Sequence, residues 1–343
     1  MSSVFERVVS RLFGSDGRAD DADQSLVDET IEAFVETVEP RVRLRSGYRD
    51  KLAGNVRRTI VHLRALGERL AREPLLLSRA AWSDDPHIRA FFAAANDVPS
   101  CIGGCEELRE FFDSHAQCTE AHMLLGMQRK ERQVLAPRLE GDVLRQDVAQ
   151  TTVSFSGHRL LAPAADMAQT RLEIGRRIMQ RLAELVLARV VNIDHQVQDL
   201  QQQKARLGTR LRMLRSAREG MRPLVDQGLT IEQQIRDVER ELQSTSEEYS
   251  DARSNLTTLD GYIDHINAVF GQPEAQVALA RAPLRVTRMG VKAEAGSSDA
   301  ADELDLAELS IGDGLQATIA FVRIPRDELP PKQDLLAQAL RSL

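Results

Sequence analysis

From Ile231 the chain steps by four and three residues through Ile235, Val238, Leu242, Thr245, Tyr249, Ala252, Leu256, Leu259, Ile263, Ile266 and Phe270, and only Thr245 in that series is not apolar. A heptad pattern held this long without a slip exceeds what one amphipathic helix needs to cover a globular core, and it predicts a coiled-coil seam. A second series with the same spacing precedes it: Val186, Val190, Ile193, Val197, Leu200, Lys204, Leu207, Leu211, Leu214, Arg218 and Met221. Between them lies EGMRPLVDQGLT. Gly220, Pro223 and Gly228 break the first helix there, and Thr230 with Gln233 supplies a capping box for the second. So short a breaker predicts an antiparallel hairpin, with a second helix on the order of 60 Å long at 1.5 Å per residue.

Antiparallel packing sets a positions of one helix against d positions of the other, which pairs Val190 with Leu259, Val197 with Ala252, Leu211 with Val238 and Lys204 with Thr245. Lys204 and Thr245 are thus expected to form one buried polar layer that fixes the register at a cost in stability, so that Lys204→Leu raises the melting temperature. The rival arrangement is a parallel homodimeric coil broken at Pro223.

Strand periodicity flanks this arm. Met123, Leu125 and Met127 alternate before it, as do Val153 and Phe155, with Gly141 and Asp142 placed for a two-residue turn. After it, APLRVTRMGVKA is followed by GLQATIAFVRIP, in which Leu315, Ala317, Ile319 and Phe321 alternate. KAEAGSSDAADE between the late strands is acidic and rich in small residues, and reads as a mobile loop. Strands on both sides of one hairpin predict an α+β, predominantly helical fold with a long coiled-coil hairpin inserted in a small antiparallel sheet.

The expected organisation is an amphipathic helix over 1–13, an acidic linker over 14–24 and a helical region over 25–118. Head strands follow over 119–167, the arm over 168–270, the remaining strands over 283–325 and a C-terminal helix over 326–343. In the first helix Val4, Phe5, Val8, Val9, Leu12 and Phe13 share one face and mark it as an interaction element on a tether. Its polar face, with Glu6, Arg7 and Arg11, is too weakly cationic to hold a membrane without a second contact.

All three cysteines fall in CIGGCEELREFFDSHAQCTEAH. Cys101, Cys105, His115, Cys118 and His122 are the candidate metal ligands, but the predicted helix from Glu106 to His115 would carry His115 about 15 Å from Cys105. The opposing expectation is a glycine turn with the cysteines acting as small hydrophobes. Charge is segregated near the start: residues 14–40 carry nine acids against one base, and residues 41–72 ten bases against two acids. Adjacent helices that neutralise each other account for this, and the alternative is a basic surface masked by the acidic segment.

A net charge of −7 argues against nucleic acid as a partner. An odd number of cysteines and the lack of an apolar run long enough to span a bilayer point to the cytoplasm, or to the periphery of an inner membrane. Arginine far outnumbers lysine, 40 to five, a bias of GC-rich bacterial genomes. No phosphate-binding loop, nucleophile elbow, zinc-protease pair or dinucleotide fingerprint is present, so no cofactor is expected and the enzyme question leans to no. The expectation is a non-enzymatic cytoplasmic scaffold or adaptor that uses the arm for protein–protein interaction. Alternatives are a homodimer through the arm, a peripheral membrane protein using the first helix and residues 41–72, and an enzyme or metal protein centred on residues 101–122.

Overall fold

The computed structural model describes residues 3–13, 24–69, 73–140, 143–220, 228–293, 300–312 and 314–331. Helices α1 (Ser3–Phe13), α2 (Gln24–Val38) and α3 (Tyr48–Arg69) come first, with a 3₁₀ turn at Pro40–Leu44. Strand β1 (Leu75–Leu76) and four short helices follow: α4 (Ala81–Asp84), α5 (Pro86–Phe91), α6 (Asp97–Gly103) and α7 (Glu106–Ser114). Strands β2 (Glu120–Glu140) and β3 (Val143–Ala164) precede the helical arm, formed by α8 (Met167–Gly220) and α9 (Gly228–Thr257). The chain ends through α10 (Leu259–Phe270), α11 (Pro273–Gln276), β4 (Val277–Thr287), β5 (Ala301–Ile311) and β6 (Leu315–Pro325). The fold is α+β and predominantly helical, with the arm inserted between strands of one sheet, as the pattern predicts.

The sheet runs β3-β2-β6-β5-β4, antiparallel throughout, with β1 joined in parallel to β6. Both faces are covered, because alternate residues of each central strand are apolar in both phases. Leu124, Ile319, Phe321, Leu309 and Ile311 face a layer made by α1, α2, α3, α10 and the root of α8. Met123, Leu125, Met127, Val322, Ile324, Leu304 and Leu306 face α5, α6 and α7 on the other side. At one end the two edge strands are tied together. Lys292 N donates to Thr151 O (2.8 Å), Val153 N to Gly290 O (2.8 Å) and Ala293 N to Arg285 O (2.9 Å), so residues 290–293 bridge β3 to β4 and remove both open edges there.

Several expectations need correction. Strand β5 occupies part of the stretch read as a mobile loop, since Leu304 and Leu306 are buried on one face of the sheet and Leu309 and Ile311 on the other, although Asp302, Glu303, Asp305 and Glu308 lower its strand propensity. Strand β4 begins at Val277 and not at 283. The Gly141–Asp142 turn, the linker proper and residues 332–343 of the expected C-terminal helix lie outside the described residues, although Glu140 pairs with Val143.

The second arm helix is broken, not continuous. Thr258 has extended backbone (φ −90°, ψ 148°) and its hydroxyl accepts Gly261 N (3.1 Å), starting α10 as a separate helix. Thr257 and Thr258 also donate their hydroxyls to the carbonyls four residues back, both at 2.8 Å, a pattern that bends helices. The bend brings Asn255 O so close to Gly261 that a Cβ there would sit 2.2 Å from it. His265 Nε2 donates to the same carbonyl at 3.0 Å.

Candidate functional site

The amphipathic face of α1 is not presented to a partner in this structure. Phe5, Val8, Val9 and Leu12 are buried in the core, and the Phe13 ring fills the space that a side chain at Gly175 of α8 would need. Arg11 pairs with Glu29 (3.1 Å), while Arg64 donates to Arg11 O (3.1 Å) and so caps the end of α1. The side chain of Val4 lies outside the described residues. The expected tethered interaction element is thus a docked helix of the head, because Phe5, Val8, Val9, Leu12 and Phe13 pack into the core where α1 meets α2, α3 and α8.

The charge blocks meet one another. Arg43 and Arg49 contact Glu32 at 3.0 and 2.7 Å, Arg43 also reaches Glu36, and Arg41 pairs with Glu39 at 2.8 Å. Arg45 and Lys51 hold Asp260 at the start of α10, at 3.1 and 2.7 Å. Burial would raise the Glu32 carboxyl, but hydrogen bonds from Tyr48, Arg49 and Arg43 outweigh it and hold the group below its ordinary range.

The five candidate metal ligands are not gathered. Among the described residues no group of three or more His, Cys, Asp or Glu could hold a metal ion. Helix α7 separates the glycine turn from the second half of the set: Cys105 sits at its N-cap and His115 at its C-cap. His115 stacks on Phe111 (4.6 Å between ring centres) and donates through Nδ1 to Phe111 O (3.0 Å). His122 is on β2, 3.5 Å from Glu120. Cys101, Cys105 and Cys118 pack against the core under α5–α7. Burial, with Cys105 close by, pushes the Cys101 thiol up to about 11, and burial likewise raises Cys105, whose Sγ lies 3.6 Å from Leu160 O. Such thiols are protonated at neutral pH and are poor ligands and nucleophiles.

The arm itself is built as two small cores. Leu207, Leu211, Ile235 and Val238 form one, and Val197, Leu200 and Ala252 the other. Leu211 thus shares a cluster with Val238, and Val197 with Ala252. Val190 and Leu259 belong to neither cluster, and Leu259 is the first residue after the helix break. Lys204 and Thr245 do not form a buried layer. Thr245 is 4% exposed and donates to Glu241 O (2.8 Å), whereas Lys204 is exposed and places Nζ 5.2 Å from the centre of the Tyr249 ring. The long lysine stem lets the ammonium leave the seam for water and an aromatic face, which removes the expected desolvation cost.

One pocket has no counterpart in the sequence patterns. Strand β5 pairs with β6 only from Ala307↔Ile319 to Ile311↔Leu315. Beyond Ala307, β5 stays with β4, while β6 stays with β2 and takes β1 on the vacated side. The fork encloses about 290 Å³, lined by Leu75, Phe91, Leu124, Leu306 and Phe321 and rimmed by Arg69, Glu73, His87 and the Arg281–Asp305 pair (3.5 Å). Apolar walls with a few polar groups at the mouth suit a small amphiphilic molecule. Only the alternation of Leu304 and Leu306 hinted at the strand that forms one wall.

Among the described residues no helix is long and apolar enough to cross a membrane. Comparison with protein-family models, with curated proteins and with solved structures finds no match to this chain.

Proposed function

We propose that this chain is a non-enzymatic scaffold or adaptor in which the helical arm offers a protein-binding surface held away from a layered head. The observation that carries the proposal is that the two cores along the arm consist of α8 and α9 residues alone. A helix of 54 residues, about 80 Å long, is rooted in the head only through its first turns, where Ile174, Ile178, Leu182 and Val186 are buried. The remainder adds nothing to the core of the head, so its surface is free to serve recognition of helical partners. The membrane alternative has less support, because the α1 face is covered and the basic residues of the 41–51 stretch are paired with acids.

The test is a quantitative pull-down comparing the intact chain with one in which residues 186–263 are replaced by a short linker, with circular dichroism to confirm a folded head. Partners lost with the arm are the expected result. An unchanged partner list, or none, overturns the proposal.

The fork pocket favours a second reading, in which the head binds a small apolar molecule. One-to-one binding of 1-octanol that disappears in Ala320→Trp, with melting temperature retained, would support it; binding that survives the substitution would count against it.

A further inference from the structure

The arm has two unlike flanks. Arg215 pairs with Glu239 across one of them at 2.8 Å, which fixes which heptad positions share that side. On the opposite flank α8 presents Arg206, Arg210 and Met213, and α9 presents Asp237, Glu241 and Glu248, all exposed. Among the described residues Arg206, Arg210 and Glu241 take part in no ion pair, and Met213 is 67% exposed between the bases and the arm tip. From Lys204 to Arg218 α8 carries six bases and no acid, whereas α9 is predominantly acidic. Of those six only Arg206 and Arg210 lie on this flank, beside the acidic row of α9.

We propose that this flank is the interface between two copies of the chain, packed as an antiparallel four-helix bundle. The inference rests on the arm being an interaction surface, as proposed above. A two-fold axis across the arm would lay basic α8 on basic α8, which repulsion disfavours. A two-fold axis along the arm lays α8 of each copy on α9 of the other, so charges are opposite at both contacts, every neighbouring helix pair is antiparallel, and both heads lie at one end. In the register set by the Leu211–Val238 cluster, Glu241 of one copy then lies level with the gap between Arg206 and Arg210 of the other. Met213 supplies an apolar anchor at the same face.

The test is sedimentation equilibrium of the full chain, with circular dichroism to confirm helix content. Arg206→Glu with Arg210→Glu, and separately Glu241→Lys with Glu248→Lys, should each weaken dimerisation by at least about tenfold. Mixing the two variants should restore a heterodimer. A chain that stays monomeric at about 100 µM, or a dimer indifferent to both pairs of substitutions, overturns the inference. So does an arm whose arginine variant changes only binding to an RNA oligonucleotide. Loss of partners on arm deletion from a monomeric chain would sink self-association alone and leave the scaffold proposal standing.

Discussion

Two hairpins leave the head, one helical and one of strands, and they solve the problem of projecting into water differently. The α8–α9 arm carries its own buried seam from Val197 to Leu211 on one helix and from Ile235 to Ala252 on the other. Among the described residues the β2–β3 ribbon has none beyond its base. Past Met127 strand β2 loses β6 as a neighbour, and from Glu131 to Leu135 every residue is exposed, with Leu135 70% exposed. Two helices can bury a stripe between them because each is thick and one-sided, whereas two strands form a single layer with two wet faces. The arm can thus hold a fixed form alone, and the ribbon depends on its base. That base is secured by residues 290–293, while the joint of the arm is the break at Thr258.

This contrast can be broken at its joints first. Gly261→Ala forces a methyl group against Asn255 O, and should cost about 3 kcal/mol of stability in urea denaturation. Leu211→Ala opens the seam of the arm, where the side chain is 8% exposed, and should cost about 3 kcal/mol, localised by hydrogen exchange to α8 and α9. Gly290 has φ +75° and its added Cβ would lie 3.2 Å from Val153 O, so Gly290→Ala should cost about 1–2 kcal/mol and speed exchange at the ribbon base more than in the arm.

A pH effect should appear at the arm joint. Burial lowers the His265 pKa below 6.5, and Arg189 adds to that, although the Asn255 carbonyl and Asp264 oppose it. The unfolded chain then binds the proton more tightly than the folded one, so the contribution is fully present above about pH 6.5 and is lost as pH falls toward the folded pKa. His265→Gln should flatten the dependence of the melting temperature on pH over that window; an unchanged slope would mean that His265 is not the group responsible. The smallest effect is expected in the ribbon. Leu135→Ala should change stability by no more than about 0.5 kcal/mol, because the side chain is already in water.

The helical arm was legible because its signal repeats: a heptad residue is specified by partners at fixed spacing on its own helix. The two hairpin strands were legible for the same reason. The mutual cancellation of residues 14–40 and 41–72 was also readable as charge, and Glu32 with Arg43 and Arg49 is how part of it is carried out. Strand β5 was hidden because Asp302, Glu303 and Asp305 resemble loop composition, while the burial of Leu304 and Leu306 comes from strands and helices distant in sequence. The Thr258 break was hidden because Leu256, Leu259 and Ile263 remain in phase across it.

By itself the sequence determined the helical hairpin, its insertion within a sheet and the clustering of Leu211 with Val238, all of which depend on local periodicity and turn residues. Tertiary structure alone decided where free surfaces went. The apolar face of α1 needed a groove shaped by α2, α3 and α8 before its occupant was defined. Lys204 needed the position of the Tyr249 ring to leave the seam. The fork pocket exists because β5 and β6 part company after Ala307↔Ile319, an event set by what each strand pairs with on its other side. Such features arise from contacts between residues far apart in the chain, and no spacing within a single segment encodes them.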